Sequence, residues 1–154
     1  MKYIVDDIIE MGKKREIDVL VHGSNCHHIM DGGIALGIKK TFPEAYEADL
    51  KTVYGDKSKL GNYSFAECEN GLIIVNAYTQ FTAEPATDKE TLEERYQAIR
   101  EVLQKVKEDF GDKRIGLPYI GSGLAGGDVN VILPIFAEVL GNTDTTVVKF
   151  WKDV

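Results

Sequence analysis

Two glycine-rich segments, residues 23–33 (GSNCHHIMDGG) and residues 121–127 (GSGLAGG), each stand between an apolar run and a helical pattern, about a hundred residues apart. In such a segment main-chain N–H groups point outward with a helix N-terminus behind them, which makes a site for phosphate. Two of them suit a ligand with two phosphates. Titratable side chains gather beside them. His22 directly follows an apolar strand pattern, which puts its imidazole at the edge of a crevice. A group titrating near neutrality can pass a proton there to a phosphate or sugar oxygen. The plainer alternative is a hydrogen-bonded histidine that fixes the loop. Asp128, between the second segment and the next helical pattern, either caps that helix or orients a water. His22, His27, His28 and Cys26 match no usual zinc spacing, and Cys68 lies beside a hairpin turn, so no metal is expected. Cys26 is a poor candidate nucleophile, because burial raises a thiol pKa.

Several function classes are disfavoured. No Gly-Lys-Ser or Gly-Lys-Thr occurs, and neither segment has dinucleotide-fingerprint spacing, so nucleoside triphosphate hydrolysis is not expected. The net charge of −7 argues against a nucleic-acid surface, which ordinarily needs a basic stripe. Any bound phosphate must then be held mostly by main-chain amides. No apolar run approaches the roughly 20 residues of a membrane span, and MKYIVDDIIE has acids where a signal peptide has a basic leader. The expectation is a cytoplasmic monomer. Two cysteines are too few for a disulfide framework, and 154 residues fit one domain spanning 1–154.

The elements that must position these groups are legible from pattern. Residues 2–5 and 17–21 are short, β-branched apolar runs of the kind buried on both faces of a sheet, with Ile8, Ile9 and Met11 between them in a helical turn or packed loop. Ile34, Leu36, Ile38 and Phe42 fit a short helix closed by Pro43. Residues 62–67 and 72–77, joined through Asn70-Gly71, predict a hairpin and hence a mixed sheet. Thr87 and Glu90 have capping-box spacing. Leu92, Tyr96, Ile99, Leu103, Val106 and Phe110 share one face of a long helix ending at Gly111. Residues 114–120 and 145–151 predict two further strands, and residues 129–140 a helix that Pro134 should kink or start late. This order gives a three-layer α/β/α fold with a mixed central sheet. In such folds ligands sit beyond the carboxyl ends of the strands, where both glycine segments fall.

Three blocks resemble the macro domains, the family that binds ADP-ribose: Asp7-Ile8 after the first strand, IDVLVHGSNC running into DGGIALGIKKTFP, and IGLPYIGSGLAGGD. Their order and separation match across nearly the whole chain. The likeness is greatest to the branch holding ADP-ribose 1″-phosphate phosphatase and small ADP-ribosyl hydrolases. The resemblance implies that Asp7 accepts from the adenine amino group and that the Ile8 main chain helps seat the ring. It implies that Asn25 contacts the distal ribose, and that amides of Gly32, Gly33 and Ile34 and of Gly121, Ser122, Gly123, Leu124, Ala125 and Gly126 wrap the diphosphate. Phe150 or Trp151 would stack on adenine, and Tyr78, Thr79 and Gln80 would border the distal pocket.

Two departures from the family pattern matter. Met30-Asp31 stands where many relatives have further glycine, and Asp31 repels a diphosphate unless its side chain points to water. Ala125 stands where related deacylases carry an acid. With His22 retained and that acid absent, the resemblance favours an enzyme that hydrolyses ADP-ribose 1″-phosphate, using His22, Asn25 and possible help from Asp128, with no cofactor. The alternatives are release of ADP-ribose from ADP-ribosylated protein, and an ADP-ribose-binding module without chemistry.

Overall fold

Val19 and Val21 pack on one side of the central strand and Leu20 on the other, which is why this run reads as continuously apolar. The computed structural model, which describes residues 1–153, contains six strands and five α-helices. In chain order they are β1 (Lys2–Asp6), α1 (Ile8–Lys13), β2 (Val19–Ser24), α2 (Gly33–Thr41), α3 (Pro43–Leu50), β3 (Tyr63–Glu67), β4 (Ile73–Tyr78), α4 (Leu92–Phe110), β5 (Ile115–Leu117), α5 (Val129–Leu140) and β6 (Thr145–Phe150). Short 3₁₀ turns occupy Lys57–Lys59, Gly123–Ala125 and Trp151–Asp153.

The sheet order is β1-β6-β5-β2-β4-β3, parallel throughout except for β3 against β4. Ile8, Met11, Ile38, Phe42 and Ala45 from α1–α3 close one face over Leu20, Ile74 and Val148. Ile99, Leu103, Val106, Ile132 and Phe136 from α4 and α5 close the other over Val21, Val75 and Val147. The three-layer arrangement with a mixed sheet is thus the one the pattern predicts. Leu103 is fully buried, so truncating it to alanine costs about 2–5 kcal/mol.

The differences from the sequence reading have local causes. The first strand is an edge strand rather than one buried on both faces, and leaves Tyr3 and Val5 about half exposed. The second strand runs on to Ser24, which puts His22 inside it instead of after it. Pro43 not only ends α2 but opens α3, where its missing N–H is one that a first turn leaves unbonded anyway. In the hairpin only Gly71 takes a positive φ, +87°. Asn70 acts through its side chain, accepting from the Leu72 amide at 3.1 Å and donating to the Gly12 carbonyl.

The capping box of α4 is Thr91 with Glu94, one turn later than the Thr87–Glu90 spacing suggests. Glu90 is instead buried and turned toward Arg95. Helix α5 runs from its cap at Asp128 through Pro134, and the Asn130 carbonyl that loses its partner there belongs to an exposed residue. Strand β6 ends at Phe150, so Trp151 begins a separate turn. Among the described residues no helix is long and apolar enough to cross a membrane.

Candidate functional site

Beyond the carboxyl ends of β2, β5 and β6 lies a crevice of about 720 Å³, within the range of small-molecule sites. Both glycine segments line it, the first through residues 23–25, Ile29 and residues 31–33, with Ile34 and Ala35 just after it, and the second through residues 121–125 and Gly127. They arrive there because each follows one of the parallel strands of the sheet and leads into a helical turn.

The main-chain hydrogen bonds separate free amides from committed ones. At the start of α2 the first intrahelical bond is from the Leu36 amide to the Gly32 carbonyl, at 3.3 Å. The amides of Gly33, Ile34 and Ala35 therefore remain unpaired at the crevice wall. In the second segment the Ser122 amide bonds Tyr119, the Gly126 amide bonds the Gly123 carbonyl and the Gly127 amide bonds the Gly121 carbonyl. Gly123 and Leu124, opening the 3₁₀ turn, keep theirs. Two positive φ angles make this possible, +56° at Gly33 and +64° at Gly123, both in a region that glycine enters without cost. Gly126, expected to give an amide, lies outside the crevice wall with its N–H spent on the turn.

The side charges nearly balance. Asp31 also lines the crevice, with its carboxylate 73% exposed and 3.6 Å from Lys39 Nζ. Lys149 of β6 is the one lysine lining the crevice, a residue the sequence reading did not single out. Gln80 lines it too, whereas Tyr78 and Thr79 are buried.

The candidate catalytic residues divide. His22 forms part of the crevice floor and is only 2% exposed. Its Nε2 lies 2.6 Å from Asn76 Oδ1, and its Nδ1 has no partner. Burial pushes its pKa down, and the Asn76 hydrogen bond only partly offsets this, so the imidazole is neutral at pH 7. Asn25 also lines the crevice, yet its side chain is engaged within the loop: Oδ1 accepts from the His27 amide and Nδ2 donates to the Ile29 carbonyl, both at 2.9 Å. Asp128 is not part of the wall, although Gly127 and Val129 are. Its Oδ1 accepts from the Asn130 amide at 2.8 Å, capping α5.

Asp7 likewise caps α1, with both bonds, from the Ile9 and Glu10 amides, falling on Oδ1. Neither Asp7 nor Ile8 lines the crevice, but Phe150, paired in register with Asp6, does. Trp151 is 53% exposed and touches Phe150 edge-on.

The other histidines are structural. His27 Nδ1 bonds the Phe81 carbonyl at 2.8 Å, and its ring meets Tyr54 and Phe81 edge-on. His28 Nε2 lies 3.1 Å from the Thr52 carbonyl. Cys26 is fully buried, and burial pushes its thiol up to about 11.

Comparison with known proteins gives a consistent picture. The family model described as Macro domain matches residues 21–136. An uncharacterized 17.5 kDa protein from the tk-vs intergenic region of Enterobacteria phage T4 is 34% identical over 144 residues, 86% of this chain and 84% of that protein. A protein of unknown function from Bacteroides thetaiotaomicron superposes with a TM-score of 0.78 at 22% identity, covering 97% of this chain and 99% of that one. Thermosipho africanus DarTG, solved in complex with ADP-ribose, superposes with a TM-score of 0.71 at 14% identity, covering 99% of this chain and 42% of that one. On the match of the family model over most of its length, with both glycine segments inside the matched residues, this chain belongs to the macro domain family.

Proposed function

We propose that the chain, acting as one macro domain, binds ADP-ribose in the crevice between the two glycine segments. The observation that carries this reading is the pair of free amide sets, Gly33 to Ala35 and Gly123 with Leu124, facing one crevice whose side chains contribute little net charge. An anion there is held by main-chain N–H groups and by the N-terminal end of α2. Phe150 stacks on the adenine, and the Oδ2 of Asp7, left unused by the helix cap, accepts from the adenine amino group. The distal ribose lies toward Asn25 and His22. Thermosipho africanus DarTG, which shares this fold and was solved in complex with ADP-ribose, supports the choice of ligand.

Hydrolysis of ADP-ribose 1″-phosphate is a second reading, favoured by one specific observation: His22 lines the crevice and its buried Nδ1 has no hydrogen-bond partner in the protein. A neutral imidazole there serves as a base toward water rather than as a charged acid. Ala125 offers no carboxylate to share that work. Asp128 supports α5 and takes no part in the chemistry.

Calorimetric titration with ADP-ribose tests the first reading, and absence of heat at saturating nucleotide overturns it. Incubation with ADP-ribose 1″-phosphate and with ADP-ribosylated protein tests the second. Phosphate release that falls about 100-fold or more in His22→Ala, and is unchanged in Asp128→Ala, is the expected outcome. Binding with no turnover of either substrate leaves a binding module, and loss of turnover in Asp128→Ala alone returns the catalytic role to that carboxylate.

A further inference from the structure

A chain of polar groups runs from the crevice across one face of the sheet to α3. His22 Nε2 faces Asn76 Oδ1; Asn76 Nδ2 lies 2.9 Å from the Ala45 carbonyl and 3.1 Å from Ser64 Oγ. Ser64 Oγ is 2.8 Å from the Tyr78 hydroxyl, which is 2.7 Å from Asp49 Oδ1. His22, Asn76, Tyr78 and Asp49 are each at least nine-tenths buried, and Ser64 between them is half-buried.

The direction of every proton in this chain follows from its far end. The Asp49 carboxylate accepts, so Tyr78 spends its single O–H there. Its oxygen can then only accept from Ser64, which commits the Ser64 proton and leaves Ser64 Oγ to accept from Asn76 Nδ2. The Ala45 carbonyl imposes the same orientation on the amide, since a flipped Asn76 would set oxygen against oxygen. Oδ1 therefore points at His22, and the 2.6 Å contact requires a proton on Nε2. The remaining nitrogen, Nδ1, carries a bare lone pair and has no partner in the protein.

We propose that Asn76, held by the Ser64–Tyr78–Asp49 chain, is a positioning residue that locks His22 as the Nε2–H tautomer. The imidazole thereby offers the crevice an acceptor only. The subsite at His22 takes a sugar hydroxyl or a water as donor and repels a phosphoryl oxygen. Ser24, two residues on along the same strand, buried and lining the crevice with its Oγ unpartnered, completes a hydroxyl-binding pair. This inference rests on the ADP-ribose reading only for the identity of the ligand, because the tautomer is a property of the free protein.

Long-range ¹H–¹⁵N spectra of the full chain, labelled at histidine and recorded without nucleotide, test the tautomer directly. The His22 signals are assigned by their loss in His22→Gln. The expected result is a protonated Nε2 and an unprotonated Nδ1 in the native protein, with mixed tautomers in Asp49→Asn and Tyr78→Phe and an affinity for ADP-ribose lowered about tenfold in each. A protonated Nδ1 in the native protein overturns the proposal. So does an unchanged tautomer in both folded variants. Should either variant not fold, the native spectrum decides. Failure of ADP-ribose to bind a protein with the expected spectrum removes the ligand reading and leaves the tautomer assignment standing.

Discussion

The guanidinium of Arg95, on the first turn of α4, donates from Nη1 to the carbonyl oxygen of Ala125 in the second glycine segment, at 3.0 Å. Its Nη2 holds the Glu84 carbonyl and the Glu90 carboxylate, both at 2.7 Å, while Glu90 accepts from the Phe81 amide. One buried ion pair thus fixes both the loop that carries the free amides of Gly123 and Leu124 and residues 81–90 beside it. The carbonyl that Arg95 holds belongs to the 3₁₀ turn whose opening residues, Gly123 and Leu124, line the crevice.

Arg95→Met is therefore expected to act at a distance from any ligand. It strands the buried Glu90 carboxylate, a class of change that costs about 3–5 kcal/mol. Urea denaturation should show that loss, and calorimetry should show weaker ADP-ribose binding even at temperatures where the variant is fully folded. An unchanged affinity would mean that the second segment holds its shape without the guanidinium.

Stability should fall in acid. Hydrogen bonds from Arg114 hold the Asp18 carboxyl well below the usual carboxylate range. Burial alone would raise Glu90, but its bonds from Arg95 and the Phe81 amide outweigh that and lower it. A carboxyl with a depressed folded-state pKa stabilises the fold above its unfolded value, about pH 4, and that contribution disappears as pH drops through the folded value. Buried His22, pushed down by desolvation, adds a loss beginning near pH 6.5, where the unfolded imidazole takes a proton more readily than the folded one. Urea melts between pH 7 and pH 3 should show the free energy of unfolding declining throughout, with a shallower decline below pH 4 in Asp18→Asn. A flat profile contradicts the assignment.

Both thiols should be inert in the native protein. Burial pushes Cys26 up to about 11 and Cys68 up to about 12, leaving almost no thiolate at pH 8. A disulfide reagent such as dithionitrobenzoate is expected to react with neither until urea is added, and then with both. Rapid labelling of Cys26 in the folded state would reopen its candidacy as a nucleophile.

Phe150→Ala and Trp151→Ala separate the two aromatics that sequence alone left as alternatives. Phe150 lines the crevice and Trp151 does not. Loss of a stacked ring costs about 1–3 kcal/mol per base, so ADP-ribose affinity should drop about tenfold or more in Phe150→Ala and remain nearly unchanged in Trp151→Ala. The reverse pattern would move the adenine to the other side of β6.

Periodicity and punctuation carried a large part of the fold. The six apolar positions of α4 fall on one face because side chains three and four apart on a helix lie together, and the hairpin of β3 and β4 follows from two strand-length runs joined through Asn70-Gly71. Helix α3 was hidden because Pro43 reads equally as a terminator and as a first-turn residue. The edge position of β1 was hidden because Tyr3 and Val5 suit exposed and buried strands alike. The placing of both glycine segments at one crevice was legible, since glycine density between a strand pattern and a helix start is a local property.

The sequence by itself determined which groups were available: glycines that let main chain approach a ligand closely, a histidine beside them, and a net charge of −7. Only the tertiary structure decided which of those groups are free. Whether an amide, a carboxylate or an imidazole nitrogen is already bonded depends on partners that are distant in sequence. Asn76 stands 54 residues from His22, and Arg95 stands 30 residues from Ala125. Such pairings are set by how the layers pack, so no local pattern records them.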